Sequence, residues 1–346
     1  MSSFGVGESR PLVFLDTSGA RVHSNRGIGR YIDGLCAGFE AIGALGTIVT
    51  IDPADREFTP LVHLPLLRNP RDDKPPRGQR TIGTIYDFTP LRFPLTVFRP
   101  WQIRAAKNLI SQMRSARACD HLVAISTATA SDASRFLRRG RDGVTTIFPG
   151  VARNFAQSSS VKEDQQDFRS LLYVGAASRH KNIHRLIHSH AIIADPQCKL
   201  ILAGLITQRQ RARIEQLTRR LGSSGRVSVL GPVTDADLVT LYLNSTALIL
   251  PSLWEGFGLP ALEAMAAGTP VICSRTSSLP EVVGTCGKLI DPRDISDMAR
   301  TIDLVLGDPH LRNSLRECGM RRAESFSWEA AASQHVALYR QLAARQ

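Results

Sequence analysis

Residues 251–270 read Pro251-Ser-Leu-Trp-Glu255-Gly-Phe-Gly-Leu-Pro260-Ala-Leu-Glu263-Ala-Met-Ala-Ala-Gly268-Thr-Pro270. The apolar run from Thr246 to Leu250 before it reads as a buried strand. Pro260 suits the first position of a helix, where a missing N–H costs nothing. Gly268 suits the helix stop, and Val271-Ile272-Cys273 reads as the next strand. Glu255 then falls in the loop and Glu263 in the first helical turn, with seven residues between them. The N–H groups of Phe257 to Ala261 lack partners inside such a helix and point at one spot. That spot attracts a phosphate. Two carboxylates beside it do not serve the phosphate, because like charges repel. They are placed to accept hydrogen bonds from hydroxyls on both sides of a diphosphate, and a nucleotide sugar offers that order: ribose, diphosphate, sugar. For the spacing alone, a capped strand–helix–strand unit with two surface glutamates is an equal alternative.

The bulk of the chain sets limits. Its 346 residues suit two domains rather than one, and 43% hydrophobic content supplies two full cores. No run of 18 or more apolar residues occurs, so no transmembrane helix is expected. Residues 1–10 carry no secretory h-region. The cysteines at 36, 119, 198, 273, 286 and 318 are scattered, without C-x-x-C or zinc spacing. They read as buried thiols in a reducing cytoplasm. The net charge is +12. Much of it falls between Arg99 and Arg141, where Trp101, Ile103, Leu109, Ile110 and Met113 interleave with the basic residues. Such a stretch suits an anionic membrane surface, at roughly 1 kcal/mol per well-placed basic side chain. A polyanion such as nucleic acid would use the same charge, and a solvated helix face explains it as well.

Strand and helix patterns alternate along the chain, which implies parallel sheets covered on both faces. Strands are expected at 12–17, 47–51, 81–86, 121–125 and 144–148, with a charged loop at 68–80. A second series begins with a strand at 171–174 and continues with strands at 199–203 and 226–230. Residues 156–168 are polar and aperiodic. The expected organisation is an α/β chain of two doubly wound, Rossmann-like domains: 1–155, a linker at 156–168, 169–327, and a final helix at 328–346. In doubly wound sheets the ligand lies at the carboxyl ends of the strands, so the site is expected in a cleft between the domains.

Other stretches add chemistry. Leu171-Leu-Tyr-Val-Gly175 leads into Ala176-Ala-Ser-Arg179-His-Lys181-Asn182. A loop carrying Arg179 and Lys181, followed by a helix capped near Asn182, can set cations on a diphosphate. Gly27 and Gly29 lie in Gly27-Ile-Gly-Arg-Tyr31, whose backbone can approach a ligand closely, although a helix-entry turn would look the same. Tyr86 and Asp87 end a predicted strand; Asp87 suits a sugar hydroxyl or a structural turn equally. His184, His188 and His190 share one helix without a third ligand in register, and no D-x-D dyad occurs. No metal and no cofactor other than a nucleotide-sugar substrate are expected.

The phrase Glu255-Gly-Phe-Gly-Leu-Pro-Ala-Leu-Glu263-Ala-Met-Ala-Ala-Gly-Thr-Pro-Val-Ile closely resembles the nucleotide-sugar motif of retaining glycosyltransferase family 4, in which the glutamates form an E-x7-E pair. Val174-Gly175 to Asn182 resembles the family's Val-Gly-x5-Lys-Asn element, with Lys181 on its lysine and Ala176 where many members have arginine. Gly27-Ile-Gly-Arg-Tyr31 is similar to its N-terminal element, Tyr86 stands where many members have histidine, and Leu230-Gly-Pro-Val233 is similar to its base-proximal loop. The resemblance implies a GT-B fold with acceptor binding by the first domain, donor binding by the second, and the final helix packing back on the first. It implies that Glu255, Lys181 and Asp87 act at the reacting sugar and its leaving group. Glu263, the 256–259 backbone (Gly256, Phe257, Gly258, Leu259), Arg179, Val233, Gly27, Gly29 and Tyr86 would then contact the donor. The closest branch builds bacterial polysaccharides, which points to GDP-mannose as donor, with UDP-glucose a close rival. The acceptor implied is a saccharide, expected to be lipid-linked at the inner face of the membrane. No nucleic-acid partner is expected. Two other classes fit parts of the sequence: a nicotinamide-dependent dehydrogenase, against which the missing G-x-G-x-x-G counts, and a non-catalytic polyanion-binding protein, against which the carboxylate pair counts.

Overall fold

The computed structural model describes residues 10–18, 27–67, 78–93, 103–156 and 169–345. Of the expected features, residues 68–77 of the charged loop, 157–168 of the linker, and Arg99 and Trp101 of the basic stretch lie outside the described residues. The chain divides into two compact units, Met1–Gly150 with Phe326–Gln346, and Val151–Ser325.

The first unit runs β1 (Val13–Leu15), α1 (Gly27–Ala41), β2 (Val49–Thr50), β3 (Leu61–Leu64), β4 (Arg80–Ile85), α2 (Thr89–Arg92), α3 (Ile103–Ala118), β5 (His121–Ala124), α4 (Thr127–Leu137) and β6 (Val144–Thr146). Its sheet has the order β2-β1-β3-β4-β5-β6, with every pairing parallel. Strand β3 has no counterpart in the sequence reading. Leu61-Val-His-Leu64 lies between Pro60 and Pro65, too short to show a period, and all four residues are buried.

The second unit runs α5 (Arg153–Ala156), β7 (Ser170–Val174), α6 (Ile183–Ala191), β8 (Lys199–Ala203), α7 (Gln208–Arg220), β9 (Val227–Gly231), α8 (Asp235–Leu243), β10 (Ala247–Leu250), α9 (Leu259–Ala266), β11 (Val271–Ser274), α10 (Leu279–Val283), β12 (Lys288–Ile290), α11 (Ile295–Gly307) and α12 (Pro309–Glu324). Its sheet has the order β12-β11-β10-β7-β8-β9, again parallel throughout. Strands β10 and β11 are buried at every residue, as expected where helices cover both faces. One expectation fails here. Cys286 and Cys318 form a disulfide, with Cα atoms 5.1 Å apart, whereas all six cysteines read as thiols. The partners are 32 residues apart, and only the packing of α12 beside the turn after α10 brings them together, so no local spacing reveals the pair. Cys119, Cys198 and Cys273 are buried thiols.

The last helix, α13 (Trp328–Ala343), belongs to the first unit and packs along α1. Glycine makes the approach possible: a Cβ on Gly38 would stand 2.3 Å from the Trp328 carbonyl oxygen. The interface is aromatic and polar. His63 Nδ1 and the Tyr339 hydroxyl are 2.6 Å apart, and His63 Nε2 and Thr84 Oγ1 are 2.8 Å apart. His335 Nε2 lies 3.3 Å from the Tyr31 hydroxyl, and the two imidazoles stack at 5.5 Å. Burial, and for His63 the neighbouring His335 as well, holds both histidines below their ordinary value, His335 at about 4. In the unfolded chain they titrate near 6.5. Stability is therefore full above about pH 6.5 and is lost as pH falls toward the folded value. We expect His335 alone to account for about 3 kcal/mol of stability lost between pH 6.5 and 4. Urea unfolding across that range, with His335→Gln flattening the dependence, checks this.

Candidate active site

Strand β7 marks a reversal in the second sheet. The chain leaves β7 for β8 and β9 on one side, then returns to β7's other flank with β10 and moves on to β11 and β12. Such switch points open a crevice outside the carboxyl ends of the two strands. The loops that leave β7 and β10 there carry Lys181 and Glu255.

Those two loops are fastened to each other. Lys181 Nζ lies 2.7 and 2.8 Å from the two carboxylate oxygens of Glu255. Ser252 Oγ donates to Glu255 Oε1 at 2.6 Å, and the Glu255 N–H donates to Ser277 Oγ at 3.0 Å. The Leu253 N–H donates to the His180 carbonyl at 2.7 Å. Asn182, expected to cap α6 with its side chain, does something else. It sits at the cap position with φ 62° and makes no side-chain capping bond. Its Nδ2 donates instead to the carbonyls of Pro251 at 3.0 Å and Pro292 at 2.6 Å. It is fully buried, and its Oδ1, the acceptor that a helix N-terminus would use, takes the Arg185 guanidinium at 3.0 Å instead. Ser277 also holds a left-handed backbone, φ 57°. Non-glycine residues in that region are uncommon, and two of them brace the Glu255 loop.

The start of α9 differs from expectation in two respects. The Ala261 N–H bonds to the Gly258 carbonyl at 2.9 Å, so it is not among the amides open to an anion. Glu263 falls one residue past the first turn, because α9 begins at Leu259. It is nonetheless buried, with 4% exposure, and its Oε2 accepts a hydrogen bond from the Tyr242 hydroxyl at 3.0 Å. Gly258 opens the helix with φ 107°, a conformation in which a Cβ would also strike the Leu279 side chain at 2.7 Å. Ser278 Oγ donates to the carbonyls of Glu255 at 3.1 Å and Phe257 at 2.7 Å, tying the loop to the start of α10.

Burial first, and then the Glu255 charge, push the Tyr173 hydroxyl and the Cys273 thiol upward. Both stay protonated at neutral pH, so neither supplies an anionic nucleophile. Arg179 is exposed in the single 3-10 turn that also holds Lys181, and Val233 is half-buried in the turn between β9 and α8. Gly27, Gly29, Tyr86 and Asp87 belong to the first unit. Gly27 opens α1 and Gly29 is buried within it. Tyr86 follows β4, half-buried, edge-on to Tyr31 at 5.3 Å. Asp87 is exposed and its Oδ1 accepts the Thr89 N–H at 2.8 Å, the structural-turn alternative. Ser252 was missed by the sequence reading. Its signal was proximity in the chain: a hydroxyl three residues before Glu255 in a tight loop can reach that carboxylate.

Residues 155–322 match the family profile described as Glycosyl transferases group 1. The MMP alpha-(1->4)-mannosyltransferase of Mycolicibacterium hassiacum is 32% identical over 68% of this chain and 57% of its own. The O-antigen chain mannosyltransferase B of Escherichia coli is 37% identical over 49% of this chain and 45% of its own. The chain thus spans about half the length of these curated relatives. Among solved structures, sucrose-phosphate synthase from Thermosynechococcus elongatus superposes with a TM-score of 0.75 at 22% identity, covering 98% of this chain and 100% of that one. Anabaena HepE in complex with UDP-glucose superposes with a TM-score of 0.71 at 19% identity, covering 96% and 99%. The chain therefore carries a glycosyl transferases group 1 domain, and its fold is GT-B.

A double-mutant cycle tests the pair that joins the two loops. With Lys181→Met, Glu255→Gln and their combination, urea unfolding is expected to return a coupling of about 1–3 kcal/mol. A coupling below about 0.3 kcal/mol would mean the pair holds nothing together.

Proposed function

We propose that this protein is a retaining mannosyltransferase that moves mannose from GDP-mannose to an acceptor hydroxyl. The observation that carries the reading is the arrangement at the β7/β10 switch point: Lys181 on Glu255, Glu263 buried in α9, and the helix start between the two glutamates. Glu255 would hold sugar hydroxyls and Glu263 the ribose. Lys181 and the 256–259 amides would hold the diphosphate, on which negative charge grows as the glycosidic bond breaks. A fixed cation and fixed amide dipoles there stabilise the transition state more than the ground state. In the proposed front-face mechanism the leaving phosphate oxygen takes the acceptor proton, and trapping of a covalent glycosyl–enzyme adduct would overturn it. The mannosyltransferase names of the relatives support the sugar. The UDP-glucose held by the HepE structure favours a second reading with that donor. In the first unit, Gly27, Gly29, Tyr86 and Asp87 would face the acceptor or the donor sugar; the Tyr86 hydroxyl is buried without a partner among the described residues.

The expected result from a panel of nucleotide sugars is turnover and thermal stabilisation with GDP-mannose above all others. Glu255→Gln and Lys181→Met are each expected to lower kcat at least 100-fold, while EDTA leaves the rate unchanged. Turnover untouched in a Glu255→Gln/Glu263→Gln variant would end the proposal.

The acceptor is proposed to be a lipid-linked saccharide. Support comes from α3, where Lys107, Arg114 and Arg117 are exposed together with Ile110. Among the described residues no helix is long and apolar enough to cross a membrane. Cosedimentation with phosphatidylglycerol vesicles, lost at high salt, is the expected outcome.

A further inference from the structure

Glu263 is a buried carboxylate with a mate in the fold behind it. Tyr242 lies near the end of α8, fully buried, with its hydroxyl 3.0 Å from Glu263 Oε2. A carboxylate that accepts a hydroxyl at one oxygen has its plane and direction constrained by that bond. Tyr242 is itself held from several sides. Its ring packs edge-on against the buried Phe155 of α5 at 5.9 Å. Its carbonyl accepts the Thr269 hydroxyl at 2.8 Å and the Ser245 N–H at 3.2 Å. The contact therefore joins α8, α9 and α5 at one point.

We propose that Tyr242 is a positioning residue for the donor: its hydroxyl sets the Glu263 carboxylate in the orientation that accepts the ribose hydroxyls. This rests on the reading of Glu263 as the ribose anchor. A tyrosine that only filled the core would support affinity for any nucleotide alike. A tyrosine that orients Glu263 supports affinity only where ribose hydroxyls are present.

The test compares nucleoside diphosphates with and without those hydroxyls. Calorimetry measures GDP and UDP against their 2′,3′-dideoxy forms on the wild-type protein, Tyr242→Phe and Thr269→Val. The wild type is expected to prefer the ribose form by at least 10-fold. Tyr242→Phe is expected to reduce that preference to within about threefold by weakening the ribose form alone, and to raise the donor KM with kcat within twofold. Thr269→Val, which disturbs the packing and spares the hydroxyl, is expected to keep the full preference. If the wild type shows no preference, the ribose reading of Glu263 fails. If the wild type prefers ribose and Tyr242→Phe prefers it equally, the Tyr242 proposal alone fails. Should Tyr242→Phe not fold by circular dichroism, 3,5-difluorotyrosine at position 242 replaces it. A stronger donor of the same shape must keep or raise the preference, and a lowered preference overturns the proposal.

Discussion

The ion pair between Lys181 and Glu255 is the contact on which the rest of the second unit's site depends. Both groups lie mostly out of water, with side-chain exposures of 18% and 11%. Neither charge is stable there alone, because removing one partner of such a pair leaves the other desolvated and uncompensated. The pair forms because β7 and β10 are neighbours in the sheet, so the loops that leave their carboxyl ends start side by side. It also sets the pattern of charge at the crevice: a cation, a carboxylate, and then the positive end of α9.

Hydroxyl groups do in these loops what ladders do in the strands. Ser252, Ser277 and Ser278 bond the Glu255 carboxylate, its N–H, and the carbonyls of Glu255 and Phe257. Asn182 does the same for Pro251 and Pro292. A loop at a strand end cannot satisfy its backbone by repetition, and buried backbone groups left unpaired are costly. Short polar side chains meet that demand and at the same time fix the loop in one shape. Fixed dipoles cost no reorganisation when charge develops near them, which is the property the proposed transfer would use.

The parts of this arrangement that could be read from the sequence are those with a local physical signature. Alternating strand and helix periods marked both sheets. Pro260 and Gly268 bracketed α9, because one lacks an N–H and the other tolerates φ 77°. What escaped depends on partners far away in the chain. Strand β3 is too short to show a period and is identified only by its neighbours β1 and β4. Asn182 looked like a cap because asparagine usually is one, and its true acceptors, Pro251 and Pro292, lie in other loops. The Ala261 amide was assigned to an anion on general helix geometry, and a single turn to Gly258 removed it. The Cys286–Cys318 bond has no sequence spacing to announce it.

The two units stabilise their buried polar groups by different means, and the difference bears on how each holds its shape. In the second unit the buried polar groups Asn182, Ser252, Glu255 and Ser278 gather at the crevice, beside the wholly apolar strand β10. In the first, His63, Thr84, Tyr31, His335 and Tyr339 form a polar layer inside the core, between the sheet, α1 and α13. An apolar interface would accept α13 in several registers, since sliding a helix by one turn trades one apolar contact for another. The hydrogen bonds of His63 with Tyr339 and of Tyr31 with His335 remove that freedom, because a slip of one turn breaks both of these buried contacts. Trp328 against Gly38 acts in the same direction by sterics, since only glycine admits the tryptophan backbone at that depth. The docking of the chain's last helix is thus specified by polar matching and shape together, at the cost of a core whose histidines must stay neutral.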